Sequence, residues 1–236
     1  MVAVIGDVHG CYYTLKQLVE KIKNKYPDIN IYCVGDLVDR GNNSFEVIEF
    51  VVAEKIQFTI GNHDFMFYSN MRDPFSLMAK SWNYNGAETT LTSYKDKFNQ
   101  MDEHLDVIIN SPLFFNLDDC FISHAGISKS LKDKLPENFL SNDEALKEIL
   151  GNDLYNQNSI IWTRGDLLNI GKLQVVGHTH RKEVFFDKVS NTLYIDTTAF
   201  GNNKLSAAII EENNLVEIID QNTNAYDVNR NWIYQL

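Results

Sequence analysis

The chain has 236 residues and a net charge of −11, with 44% hydrophobic and 22% charged residues. This length suits one domain with a sizeable core, and the composition is ordinary for a globular protein. The acidic balance argues against a partner that is a nucleic-acid polymer, and no apolar run approaches the roughly 20 residues of a membrane span.

In chain order, residues 1–5 read as a strand, which is expected to leave no room for a signal peptide. Leu15, Leu18, Val19 and Ile22 then fall at helical spacing, until Pro27 and Asp28 break the pattern. A second strand over 31–34 precedes a helix marked by Phe45, Ile48 and Val52, with Asn43 or Ser44 as N-cap. A third strand follows at 56–60. This βαβαβ order implies parallel strands joined by helical crossovers. Residues 65–112 read as mostly helical, with Phe65, Met66, Phe67 and Tyr68 as core. The last third becomes mainly β, with short runs near 113–117, 119–123, 173–176, 184–187, 192–196, 205–210 and 215–219, and a turn at Glu212-Asn213-Asn214. The expected fold is α/β: two packed mixed β-sheets flanked by helices, in a single domain over 1–236.

Three cysteines, Cys11, Cys33 and Cys120, lack the paired spacing of a disulfide framework. Cys33 and Cys120 lie in apolar strand runs and read as buried thiols. Cys11 has no activating basic neighbour and reads as structural. A reducing cytoplasm and a monomer are expected.

Five times an apolar strand ends in a small residue and then a ligand-type side chain: Gly6-Asp7, Gly35-Asp36, Gly61-Asn62, Ser123-His124 and Gly177-His178. Together these units suggest strands ending along one edge, where open α/β sheets bind ligands. With His9, the set Asp7, His9, Asp36, Asn62, His124 and His178 joins carboxylate, imidazole and amide oxygen, which suits Mn²⁺, Fe or Zn²⁺ better than Ca²⁺. Six donors exceed one open catalytic site but suffice for two ions sharing a carboxylate.

Gly6-Asp7-Val8-His9-Gly10, Gly35-Asp36-Leu37-Val38-Asp39-Arg40-Gly41, Gly61-Asn62-His63-Asp64, Ser123-His124-Ala125-Gly126 and Gly177-His178-Thr179 resemble, in order, the signatures of the phosphoprotein phosphatase branch of the calcineurin-like metallophosphoesterases. The resemblance implies that Asp7 and His9 hold one metal, that Asp36 bridges, and that Asn62, His124 and His178 hold the other, with Mn²⁺ the expected ion. It implies that Arg40 clamps the phosphate, with Asn62 beside it. Trp162-Thr163-Arg164 resembles a later arginine segment, making Arg164 a second clamp candidate, unless it is a surface arginine paired with Asp166. His63 would be the general acid, oriented by Asp39. A metal-bridging hydroxide would attack phosphorus directly. His180, two beyond His178, is close enough to reach the site but is not read as a ligand. His104 carries no motif and reads as a surface residue.

Two substrate classes compete. Asp64, and Cys11-Tyr12 after the first motif, resemble the symmetrical diadenosine tetraphosphatases. Asp39, Thr179 and the segment around Asn85-Gly86 resemble the serine/threonine protein phosphatases. The sequence therefore leads to a dimetal phosphomonoester hydrolase acting on phosphoproteins or phosphopeptides, with a dinucleoside polyphosphate as the alternative substrate.

Overall fold

Alternation within the first strand places two cores on either side of it. Val2 and Val4 pack with Tyr32, Val34, Ile122, Val175 and Leu193, whereas Ala3 and Ile5 pack with Leu15, Leu18 and Ile22. Successive strand side chains face opposite ways, so the first group lies between two sheets and the second under helices. The computed structural model describes residues 1–233.

In chain order the strands are β1 (Val2–Ile5), β2 (Asn30–Cys33), β3 (Gln57–Phe58), β4 (Phe114–Asn116), β5 (Phe121–Ser123), β6 (Gln174–Val176), β7 (Phe185–Asp187), β8 (Thr192–Tyr194), β9 (Lys204–Glu211) and β10 (Asn214–Asn222). The first sheet has the order β10-β9-β1-β2-β3 and the second β4-β5-β6-β8-β7. In the first, β1, β2 and β3 are parallel while β9 runs antiparallel to β1 and β10. In the second, β5, β6 and β8 are parallel, with β4 and β7 antiparallel at the edges. Both sheets are mixed and helices flank them, as the sequence leads one to expect. The Glu212-Asn213 turn has positive φ at both residues (47° and 63°), the backbone that a two-residue hairpin requires.

The crossover helices are α1 (Tyr12–Lys25) and α2 (Ser44–Ala53). In α1, Leu15, Leu18, Val19 and Ile22 form the buried stripe. In α2 the buried face is Phe45, Val47, Ile48 and Val51; Val52 is 49% exposed, one position off that stripe. Asn43 occupies the N-cap position without capping, because its amide instead donates to Asp227 Oδ1 at 3.0 Å.

Residues 62–109 form α3 (Asn62–Arg72), α4 (Leu77–Trp82), α5 (Ala87–Ser93) and α6 (Met101–Ile109). Phe67 of α3 stacks on Trp82 of α4 with ring centres 5.3 Å apart. His104 is a correction: it is buried, with Nδ1 accepting from the Tyr94 hydroxyl (2.7 Å) and Nε2 donating to Glu49 (2.8 Å). Its polar helical neighbours suggest solvent, but the two partners that satisfy the ring come from elsewhere in the chain. A last helix, α7 (Asp143–Gly151), buries Leu146 and Leu150. Among the described residues no helix is long and apolar enough to cross a membrane.

Candidate active site

The carboxyl ends of β1, β2, β3, β5 and β6 deliver Asp7, His9, Asp36, Asn62, His63, His124 and His178 to one buried cluster. A hydrogen bond from His178 N to Asp7 Oδ2 (3.0 Å) ties the edges of the two sheets together. Glycine is required at two points of closest approach: a Cβ at Gly61 would overlap the Asp36 carboxylate, and one at Gly177 would overlap that of Asp7. His9, Asp36, Asp39, Arg40 and His178 all adopt positive φ, between 45° and 73°. Such strained backbone collects at functional sites where surrounding bonds enforce it. Here Val8 N and His9 N both donate to the Asp36 carbonyl (3.1 and 2.8 Å). Asp64 does similar work. It accepts from Gly61 N on one oxygen (3.0 Å) and from Leu37 N on the other (2.9 Å), pinning the loop after β2 to the start of α3.

The histidine tautomers follow from their outer bonds. His9 Nδ1 donates to Val38 O (2.8 Å) and His124 Nδ1 to Val34 O (2.9 Å), so each turns an Nε2 lone pair inward. His178 is reversed: Nε2 donates to Trp162 O (3.1 Å) and Nδ1 faces inward. The Asn62 Oδ1 then lies 2.8 Å from His124 Nε2 and 2.8 Å from His178 Nδ1. Three acceptor atoms meet there with no hydrogen between them, an arrangement that a cation reconciles. Asp36 presents Oδ2 to His9 Nε2 and Oδ1 to His124 Nε2, each at 3.5 Å. It therefore stands between two donor sets, Asp7–His9 on one side and Asn62–His124–His178 on the other.

The electrostatics agree. Burial, then Asp196 and Asp36, push the Asp7 carboxyl well above its usual range. Burial pushes Asp36 up to about 7 and His124 down to about 4. Burial also holds His9, His63 and His178 well below the usual histidine range. Neutral imidazoles beside carboxyls that resist ionisation form a site that divalent cations would stabilise.

His63, next to Asn62, does not join the inward donors through Nδ1. That nitrogen bonds Asp39 Oδ2 at 2.7 Å, leaving Nε2 for another partner. Arg40 is buried, its guanidinium 4.6 Å from the Phe200 ring; Nη1 donates to His9 Nε2 (3.0 Å) and Nε has no partner. Arg164 is exposed and does not pair with Asp166, which faces Lys129 instead at 3.9 Å. Its charge still helps to depress both His124 and His178. Burial raises the Cys11 thiol, removing it as a nucleophile.

Other residues belong to the cluster outside the donor and clamp assignments. Asp196, just past β8, is buried and accepts from His180 Nδ1 at 2.6 Å. His180 Nε2 lies 3.4 Å from Arg40 Nη1, at the site as its spacing allows. Leu193-Tyr194-Ile195-Asp196 repeats the pattern of strand then acid, lacking only the glycine. Trp82 and Thr90 bond Asp39 from α4 and α5; nothing in their local sequence signals it.

Residues 1–182 match the family described as Calcineurin-like phosphoesterase. The chain belongs to that family. It is thus a hydrolase of the metallophosphoesterase family, whose members use a dinuclear divalent-metal centre, and the donor groups here fit one. The asymmetrical bis(5'-nucleosyl)-tetraphosphatase PrpE of Oceanobacillus iheyensis is 33% identical, over 91% of this chain and 90% of that relative. Among solved structures, a putative diadenosine tetraphosphatase superposes with a TM-score of 0.62 at 19% identity, over 95% of this chain and 94% of that one. A cold-active protein-tyrosine phosphatase of a Shewanella species gives 0.63 at 19% identity, over 94% and 80%. At these identities the two structures establish the phosphoesterase fold.

Proposed function

We propose that this phosphoesterase hydrolyses dinucleoside polyphosphates, cutting a tetraphosphate asymmetrically into a nucleoside mono- and triphosphate. The observation that carries this reading is the match, along nearly the whole chain, to a relative named for that reaction. It outweighs the short motifs around Asp39 and Thr179 that lean toward phosphoprotein phosphatases.

In this reading Asp7, His9 and Asp36 hold one divalent ion, and Asp36, Asn62, His124 and His178 the other. Bound there, the pair would neutralise phosphoryl oxygens and supply activated water near neutral pH. Arg40 grips the phosphoryl group through the fork of a buried guanidinium, 4.6 Å from the Phe200 ring centre. Asn62 lies beside it, and Arg164 adds charge from the exposed rim. His63 Nε2 is placed to deliver a proton to the departing oxygen, with Asp39 Oδ2 fixing the ring through Nδ1. Burial on every side keeps bulk water from screening these charges.

A second reading, hydrolysis of phosphoserine or phosphothreonine, draws on the His63–Asp39 pair. An alkoxide is a far stronger base than a nucleotide phosphate and gains much more from an acid at the leaving oxygen.

Metal-stripped protein reconstituted with Mn²⁺ and offered diadenosine tetraphosphate beside phosphoserine, phosphothreonine and phosphotyrosine peptides separates the two. The expected result is a kcat/KM for the dinucleotide about tenfold or more above any peptide, with AMP and ATP as products. A peptide turned over faster by the same margin replaces this reading with the second, and a product mixture of ADP alone makes the cleavage symmetrical.

A further inference from the structure

A cavity of about 620 Å³ opens at Arg164, with Lys129 and Lys132 on one side and Leu167 and Tyr194 among its walls. Its size falls within the range of small-ligand sites. The chain as a whole carries −11, yet three cations gather here. Of the two acids at its rim, Asp187 is folded into its own turn by Val189 N (2.9 Å) and Ser190 Oγ (2.6 Å), and Asp166 faces Lys129. Among the described residues neither Lys132 nor Arg164 has a carboxylate within 4.0 Å, so both are available to an anion.

The cavity is joined to the reaction site through the segment 162–164. The Trp162 carbonyl fixes His178, and the Arg164 charge reaches His178 and His124. Trp162 Nε1 and Thr163 Oγ1, both buried in this segment, have no partner in the protein. From the other side, Tyr194 ends β8 two residues before Asp196. Arg164 thus lines the cavity together with Lys132 and also acts on the donor histidines His124 and His178. Tyr194, half-buried in the same wall with Arg181 4.8 Å from its ring centre, offers the aromatic surface on which a flat base can pack.

We infer that this groove is the seat of the leaving nucleotide: Arg164 and Lys132 hold its polyphosphate, and Tyr194 packs on its base. The inference rests on the dinucleotide reading proposed above and adds the residues that would make a nucleotide a better substrate than a small ester.

The test compares diadenosine tetraphosphate with p-nitrophenyl phosphate, which has no second nucleotide, on Mn²⁺-loaded parent, Lys132→Ala and Tyr194→Ala. Both positions reach the surface, so folding is checked simply by an unchanged melting temperature. Each substitution should raise KM for the dinucleotide about tenfold more than KM for the aryl phosphate, the scale of one lost contact to a charged or stacking group. Equal changes for the two substrates, or none, overturn the groove while leaving the dinucleotide reading standing. If the parent does not cleave the dinucleotide, the reading itself has failed, and ATP as a competitive inhibitor of aryl phosphate hydrolysis, with Mn²⁺ in excess, decides the groove. A weaker ATP inhibition constant in both variants supports it, and an unaltered one removes it.

Discussion

The indole N–H of Trp82 lies 2.9 Å from Oδ2 and 3.0 Å from Oδ1 of Asp39, so one donor spans both oxygens of a fully buried carboxylate. The Thr90 hydroxyl adds a 2.7 Å bond to Oδ1, and His63 Nδ1 takes Oδ2. Burial raises the Asp39 carboxyl well above the usual range, and the Thr90 and Trp82 bonds only partly oppose that rise. Asp39 therefore has one orientation and offers His63 one bond.

Trp82→Phe keeps a ring on Phe67 and removes the N–H. If His63 is the acid, the variant should slow phenyl phosphate by about tenfold while barely affecting p-nitrophenyl phosphate, a fraction of the 10²–10⁴-fold typical of a general acid. His63→Asn, run on the same esters, should show the same selectivity in larger measure. A His63→Asn enzyme equally slow on both esters would argue against the acid role, whatever Trp82 does.

Asp36 is the carboxylate placed between the two donor sets. Asp36→Asn should cost metal at both, so elemental analysis after dialysis should find well under two ions per chain. The stability effect has an unusual sign. Burial already resists ionisation of Asp36, so a neutral amide should leave the metal-stripped protein at least as stable as its parent. What should disappear is the stabilisation that Mn²⁺ confers by binding the native state. Unchanged metal content in the variant would contradict the bridging position.

Arg40 has a buried Nε without a partner and a guanidinium 4.6 Å from the Phe200 ring centre. Lysine at 40 retains the charge but not the fork or the stacking. Arg40→Lys is expected to raise KM for every phosphate substrate by about tenfold or more and to weaken inhibition by inorganic phosphate in parallel. A loss confined to kcat would place Arg40 elsewhere in the reaction.

How much of this is legible in the chain depends on how local each signal is. The strand over 205–210 and its Glu212-Asn213 turn mark their own ends, and they form β9 and its hairpin. The donor set is legible for the same reason, since each member lies within four residues of the end of its strand. Asp196 sits in an equivalent place but lacks the glycine that makes the pattern stand out. Trp82 and Thr90 are opaque because their partner is 43 and 51 residues away; within their own helices they read as an apolar face and a helical threonine. His104 shows the converse, a residue polar by neighbourhood and buried by long-range partners. Substrate class is the least local property of all, since it depends on surfaces around the motifs rather than on the motifs.

The pH dependence of stability offers a last expectation, with opposing contributions that separate cleanly. In metal-stripped protein burial raises Asp36 and Asp64 from 3.8 to about 7, and raises Asp7 and Asp39 as well. Their folded pKa values exceed the unfolded ones, so the native state retains protons that the unfolded chain releases. That stabilisation is complete below the unfolded value and is lost as pH rises through about 7. The histidines act oppositely. Burial lowers His124 from 6.5 to about 4, and His9, His63 and His178 shift the same way. Their contribution is present above 6.5 and is lost as pH falls toward 4. Between those values the two sets offset each other, but above 6.5 only the carboxyls still titrate. The melting temperature of the stripped protein should therefore fall from about pH 6.5 to about pH 8. Saturating Mn²⁺ holds the ligands Asp7 and Asp36 ionised and should make the decline shallower, leaving the part that Asp39 and Asp64 contribute. A stripped protein whose melting temperature climbs across that interval would mean that these carboxyls are already ionised in the folded state, and that the cluster has another source of compensating charge.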